Sequence, residues 1–263
     1  MYPKAIVFGF GFYEIFIAIG LIAALFLADK LAMKRKLSIP LQKHFLICIV
    51  LSVFVGFFGA VFFQAVYTWI ETGTFSLLSG MTFYGGLIFG AITFLLGWFL
   101  LSKPFQLDKE AKSRFGDIAD IAGAALPFAH AFGRIGCFFA GCCHGKTTDA
   151  WFGVTMGGEK VVPVQLLEAA FLFVLAAVLL WLAFTKQEEK RVPLLPTYLT
   201  AYGVWRFFIE YARGDERGQT IVSFLSPSQL VAIVCVAVGV AYFCVWFTQK
   251  KKSSQAGEKE NKQ

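Results

Sequence analysis

Residues 44–67 read HFLICIVLSVFVGFFGAVFFQAVY, with no Asp, Glu, Lys or Arg among them. An α-helix crosses the hydrocarbon core of a bilayer in about 20 mostly apolar residues, so this run reads as a transmembrane helix. Working outward, residues 13–30, 83–101, 165–185 and 227–248 read the same way. Two further segments, 117–132 and 198–212, are shorter and more polar. They are expected to be re-entrant or packed among other helices, because bare polar groups in lipid are costly. The composition agrees: 57% of the 263 residues are hydrophobic and 16% are charged, against about 25% charged in a soluble domain. The expected fold is all-α and polytopic, with about seven transmembrane helices. One transmembrane catalytic domain is expected over 1–248, followed by a disordered cytoplasmic tail over 249–263 that is rich in Lys, Glu, Ser and Gln. The first apolar run, 5–28, exceeds the ~7–15 residues of a signal-peptide core, so it is expected to stay in the protein as a helix.

The basic residues orient these spans. With the N-terminus outside, the cytoplasmic loops hold Lys30, Lys34, Arg35, Lys36 and Lys43, then Lys103, Lys109, Lys112 and Arg114, then Lys186, Lys190 and Arg191. The C-terminal lysines follow on the same side, as the positive-inside rule requires. The formal charge of +7 therefore reports topology, and no nucleic-acid partner is needed to explain it. Only Lys4, Arg134, Lys146, Lys160, Arg206, Arg213 and Arg217 lie outside. Of these, Arg134, Arg206 and Arg213 sit beside or within spans, where an arginine costs ~2.5–3.5 kcal/mol on insertion scales and usually has a specific partner.

Three segments carry chemistry, all at the outer side. Gly133-Arg134-Ile135-Gly136-Cys137 through Cys142-Cys143-His144-Gly145 holds four glycines. That density disfavours a regular helix and lets backbone approach an anion, while Arg134 supplies a planar fork for phosphate. Packing of small residues, with Arg134 reaching to headgroups, is the structural alternative. In Tyr202-Gly203-Val204-Trp205-Arg206 through Glu210 and Arg213, the charges are spaced i, i+4, i+7 and share one helix face. Glu210 neutralises one arginine, and the residual positive charge favours an anionic ligand over a purely structural ladder. The third segment, Gly80 to Gly86, offers the Tyr84 phenol beside Gly85 and Gly86, with an aromatic-belt anchor as the alternative. Glu168, at the outer end of the fifth span, is placed to pair with Arg134. Cys137, Cys142, Cys143 and His144 leave free thiols, a Cys137–Cys142 disulfide and a metal site all open, although the spacing is not the common C-x2-C of zinc sites.

These residues resemble the prolipoprotein diacylglyceryl transferase family. Gly133 to Gly145 is similar to its G-R-x-G-N-F-x-x-G-E-x-x-G signature, and Gly80–Gly86 to its G-x-x-x-H-G-G segment. Asp120 and Pro127 fall at the family's spacing ahead of Arg134. Pro163-x-Gln165-Leu166-x-Glu168 and Tyr202-Gly203-x-x-Arg206-x-x-x-Glu210-x-x-Arg213 resemble two further motifs, and Ser228-Gln229-Leu230 opens the last span as in that family. The resemblance implies transfer of a diacylglyceryl group from phosphatidylglycerol to the lipobox cysteine in the signal peptide of a preprolipoprotein, forming a thioether and releasing glycerol phosphate. It implies a multi-pass protein of the bacterial inner membrane, surrounded by membrane lipids, with the active site on the extracytoplasmic side and no metal or cofactor. Arg134, Arg206, Glu210 and Tyr84 are the expected catalytic residues. Gly133, Gly136, Gly145, Gly85, Gly86, Glu168, Tyr202 and Arg213 are expected to bind substrate. The chain departs from the pattern in three places: Tyr84 stands where the family has His, Cys137 where it has Asn, and Cys142 where it has Glu. The alternatives are a paralogue acting on another lipid or acceptor, a membrane thiol-redox protein, for which the usual C-x-x-C is missing, and a lipid or anion transporter, for which internal repeats are missing.

Overall fold

The computed structural model describes residues 11–185, 192–214 and 224–260, with side chains to Lys251. Among them the chain forms α1 (Phe12–Lys34), α2 (Ile39–Thr72), α3 (Phe83–Leu96), which runs on as a π-helical turn (Gly97–Leu101), and α4 (Asp108–Ser113). It continues with α5 (Phe115–Ala140), a hairpin of β1 (Val154–Met156) and β2 (Glu159–Val161), α6 (Val164–Thr185), α7 (Leu194–Ile209) with a 3-10 turn (Glu210–Ala212), and α8 (Pro227–Glu260). Among the described residues, six helices are long and apolar enough to cross a membrane: α1, α2, α3 with its π turn, α5, α6 and α8. The protein is an all-α, multi-pass membrane protein. Its many exposed Phe, Ile, Leu and Val side chains face a solvent as apolar as themselves, so their exposure costs nothing there.

Each apolar run read from the sequence is helical. The short fourth run lies in a 26-residue helix, long enough to span, with Pro127 inside it. The sixth, α7, has 16 residues, short of a full crossing. Residues 249–260 continue the helical backbone of α8.

The chain divides into two compact units, one of residues 1–31 and 118–263, the other of 32–117. In the smaller unit, α2 and α3 pack with almost no side chain between them. A Cβ on Gly85 would stand 2.6 Å from the Gly59 carbonyl oxygen and 2.5 Å from the Phe63 Cβ. A Cβ on Gly56 would stand 3.0 Å from the Gly86 oxygen. Small residues permit this contact between membrane helices, where dispersion and hydrogen bonding replace the hydrophobic effect. Tyr84 occupies the first turn of α3, its ring edge-on to Phe83. His44 is buried against Trp98, its Nε2 3.1 Å from that residue's carbonyl oxygen.

In the larger unit, α7 is fastened at both ends. Asp120 of α5 accepts a hydrogen bond from the Leu194 N–H at 2.8 Å, satisfying an otherwise orphaned donor of the first turn. A Cβ at Gly123 would run into the Leu195 nitrogen, so glycine there lets the start of α7 rest on α5. Along its length α7 packs on α8, where a Gly203 Cβ would meet the Ala232 carbonyl oxygen at 2.8 Å. Ser226-Pro227-Ser228-Gln229 begins α8 with a capping box: Gln229 N–H donates to Ser226 Oγ at 3.2 Å, and Ser226 N–H to Gln229 Oε1 at 3.0 Å.

Candidate active site

The larger unit buries a cluster of three arginines and two carboxylates. Glu168, in the second turn of α6, is fully buried. Its Oε1 lies 3.0 Å from Arg134 Nη2 of α5, and its Oε2 lies 3.8 Å from Arg206 Nη1 of α7. Glu210 follows α7 and pairs with Arg206 Nη2 at 2.5 Å and with Arg213 Nε at 3.7 Å. Three helices thus meet through alternating charges, three arginines to two carboxylates among the described residues. The Tyr202 hydroxyl donates to Glu168 Oε1 at 2.6 Å and accepts from Arg134 Nη2 at 3.4 Å. Ser226 Oγ donates to Glu210 Oε1 at 2.7 Å.

The pairing does not exhaust the arginines. Arg134 Nε and Arg206 Nη1 are buried and have no hydrogen-bond acceptor among the described residues. Leaving a buried donor unmatched costs ~1–3 kcal/mol, more for a charged group. Arg206 Nη1 faces Glu168 Oε2, itself without a hydrogen bond among the described residues, at 3.8 Å; buried cationic donors of this kind suit an oxyanion.

The structure brings together Arg134, Glu168, Tyr202, Arg206, Glu210 and Arg213 of the predicted set. It corrects two local readings. Gly133 and Gly136 do not open a loop: α5 runs on to Ala140. Glycine costs a soluble helix up to ~1 kcal/mol, but in lipid the backbone must satisfy its own hydrogen bonds, which favours continuation. Gly136 also buys close packing on α1, since its Cβ would meet the Tyr13 carbonyl oxygen at 3.1 Å. Arg213 does not share the helical face of Arg206, because α7 tightens to a 3-10 turn at Glu210 and Arg213 is extended (φ −78°, ψ 146°). Its side chain still returns to Glu210. Tyr84, Gly85 and Gly86 belong to the smaller unit and stand as described there.

Sequence reasoning missed three participants. His130 shares a 3.0 Å hydrogen bond with the Tyr198 hydroxyl and meets the Tyr202 ring edge-on. Tyr198 and Tyr202 are spaced i, i+4, a signal that was available. Ser226 carried only its capping pattern. The β hairpin was also missed, although Val154-Thr155-Met156-Gly157-Gly158-Glu159-Lys160-Val161 has a paired-glycine turn whose φ values are both positive.

That hairpin fixes the outer rim. Gly145 bridges to Arg213 and donates to the Val162 carbonyl at 2.9 Å, while Lys146 N–H donates to the Ala212 carbonyl at 2.9 Å. A Cβ on Gly145 would lie 2.7 Å from both the Ala212 oxygen and the Val162 Cβ. Gly145→Ala is therefore expected to destabilise the protein by about 1–3 kcal/mol through overpacking, measured as a lower Tm in detergent. An unchanged Tm would show that the strands separate freely.

The helix end just before this rim holds three thiols. Gly141, at φ 74°, closes α5 with its N–H on the Phe138 carbonyl at 3.1 Å, and Cys142 N–H reaches the Cys137 carbonyl at 3.2 Å. This is the Schellman cap of a helix C-terminus. All six cysteines are free thiols. The Cys143 thiol is held well below its ordinary pKa by hydrogen bonds from Cys137 and Cys142 and by the Arg213 guanidinium.

Comparison with known proteins adds an independent line. A family profile described as "Prolipoprotein diacylglyceryl transferase" matches residues 4–245. The phosphatidylglycerol–prolipoprotein diacylglyceryl transferase of Clostridium tetani is 30% identical over 246 residues, covering 88% of this chain and 91% of that protein. The enzyme of the same name numbered 2 in Clostridium perfringens is 31% identical over 188 residues, covering 69% and 67%. That of Clostridioides difficile is 28% identical over 252 residues, covering 94% of each.

Proposed function

Because this chain belongs to the prolipoprotein diacylglyceryl transferase family, we propose that it moves a diacylglyceryl group from phosphatidylglycerol to the lipobox cysteine of preprolipoprotein signal peptides, at the extracytoplasmic face of a bacterial inner membrane. The observation that carries the reading is the pair of buried cationic donors, Arg134 Nε and Arg206 Nη1, that make no hydrogen bond among the described residues. A phosphodiester supplies such acceptors.

The lipobox sulfur attacks the glyceryl carbon that bears the phosphate ester. The C–S bond forms as the C–O bond breaks, and the electron pair leaves on the oxygen of glycerol phosphate. The leaving group thereby gains negative charge. Arg134 and Arg206, already held in place by Glu168, Glu210 and Tyr202, stabilise it without reorganising. Arg213 anchors the rim through Glu210, Gly145 lets the rim strands close, Gly136 lets α5 pack on α1, and Gly133 leaves open space beside Arg134. An apolar groove of about 440 Å³ between α7 and α8, lined by Val204, Phe207, Phe208, Ile233 and Val236 among others, suits an acyl chain. These steps are electrostatic and proton-transfer steps carried by side chains of the chain itself.

A thiol titrates near ~8.5 and must lose its proton to attack. Tyr84, at the place where the resembled pattern has histidine, is assigned on that sequence pattern as a proton relay, its oxygen taking the thiol proton as its own O–H proton passes to solvent, with Gly85 and Gly86 setting its helix against α2. Tyr84→Phe is expected to lower transfer by about 10²-fold or more at neutral pH. The deficit should shrink above pH ~8.5, where the substrate thiol ionises unaided. A pH-independent deficit would remove Tyr84 from the proton transfer.

The function is tested by complementation. Expressed in a bacterium depleted of its own transferase, the full chain is expected to restore growth and diacylglyceryl-modified lipoprotein. Unmodified preprolipoprotein in cells whose membranes contain the chain would overturn the assignment.

A further inference from the structure

Cys137, Cys142 and Cys143 have their Sγ atoms all within 4.8 Å of one another. The transfer steps proposed above use none of them, and two replace the Asn and Glu of the resembled pattern. Their meeting follows from the backbone. In a Schellman cap the third residue from the helix end and the second residue beyond the cap come side by side, usually as an apolar contact. Here those positions are Cys137 and Cys142. Cys143 then adopts φ 61°, a left-handed conformation uncommon for residues other than glycine, and its sulfur joins the other two.

We propose that these three thiols form a binding site for a thiophilic closed-shell metal ion, zinc in the first instance. Zn–S bonds of about 2.3 Å place three sulfurs roughly 4 Å apart around one ion. The observed spacing needs only small side-chain rotations to reach that geometry. Soft thiolates select zinc, cadmium or cuprous ions over magnesium or calcium. The neighbourhood suits a site of net negative charge: Arg213 is bridged to Gly145, two residues beyond Cys143, and Arg134 lies three residues before Cys137 on α5. Gln165 Nε2, of α6, donates to the Cys142 carbonyl at 2.6 Å and holds the loop as an outer-shell residue holds a ligand. Cys142 is exposed, which gives an ion a path in and leaves its fourth position to water. Binding forms three S–Zn bonds and releases to solvent whatever thiol protons remain.

The test uses the full chain, purified in detergent, reduced and freed of metal. Zinc is added, excess is removed by gel filtration, and bound metal is measured by elemental analysis. One zinc per chain is expected, with three fewer thiols reacting with maleimide. Cobalt in place of zinc is expected to give a sulfur-to-metal charge-transfer band. Cys142→Ser and Cys143→Ser should each weaken zinc binding more than about 10-fold, while Cys235→Ser, outside the cluster, leaves it unchanged. Thermal unfolding of each variant checks that the fold is intact. Less than half an equivalent of bound zinc, or binding unaltered in both serine variants, overturns the site. The readout is metal content, so either result stands apart from transferase activity.

Discussion

Arg134→Ala is expected to lower the rate of diacylglyceryl transfer by about 10²–10³-fold, the scale lost when one preorganised donor to a developing oxyanion is removed. The Arg134 side chain is 14% exposed, lies 3.0 Å from Glu168, and keeps its Nε without a hydrogen-bond acceptor among the described residues. The side chain is thus half committed to the protein and half available. Arg134→Lys should recover little, because an ammonium at the end of a flexible stem cannot make the bidentate contact of a guanidinium. Folding should survive the alanine change better than activity does, since Glu168 keeps Arg206 as a counter-charge. The measurement is turnover against the amount of folded protein. Turnover near that of the parent would remove Arg134 from the phosphate site.

Glu168→Ala is expected to produce the largest loss of stability, about 3–5 kcal/mol, the cost of removing one member from a buried ionic network. Glu168 is fully buried and joins α5, α6 and α7 through Arg134, Tyr202 and Arg206. Without it, Arg134 loses its one ion-pair partner among the described residues and Arg206 keeps only Glu210 among them. The Arg134→Ala/Glu168→Ala double variant should be clearly less destabilised than the sum of the two single changes, because each single change leaves a partner uncompensated. Additive losses in thermal or denaturant unfolding would show that the two residues do not act as a unit.

The spans were legible because lipid demands long apolar helices, and their runs show in the sequence without any tertiary information. The arginines were legible for the opposite reason: Arg134 and Arg206 break apolar surroundings at a cost that only a partner or ligand repays. What Glu168 does was half legible. Its pairing with Arg134 could be anticipated, but its reach to Arg206 depends on α5, α6 and α7 converging, which no local pattern records. The helix through Gly133 and Gly136 was misread because glycine propensities measured in water understate how strongly lipid enforces backbone hydrogen bonding. The thiol cluster shows the same limit from the other side. C-x4-C-C matched no familiar metal spacing, yet a Gly-closed helix cap brings the sulfurs together. The departure of Arg213 from the face of Arg206 reflects the tightening of α7 at Glu210, where the strands of the rim begin.

The central claim is that this cluster holds phosphatidylglycerol while a peptide thiol displaces its headgroup. The most direct test incubates the purified protein with phosphatidylglycerol and a synthetic lipobox peptide and follows the peptide by mass spectrometry. The account predicts a diacylglyceryl thioether on the cysteine, release of glycerol phosphate in equal amount, no product with a cysteine-to-serine peptide, and almost none from Arg206→Ala. Absence of thioether from intact, folded protein, alongside a working control enzyme, would contradict it.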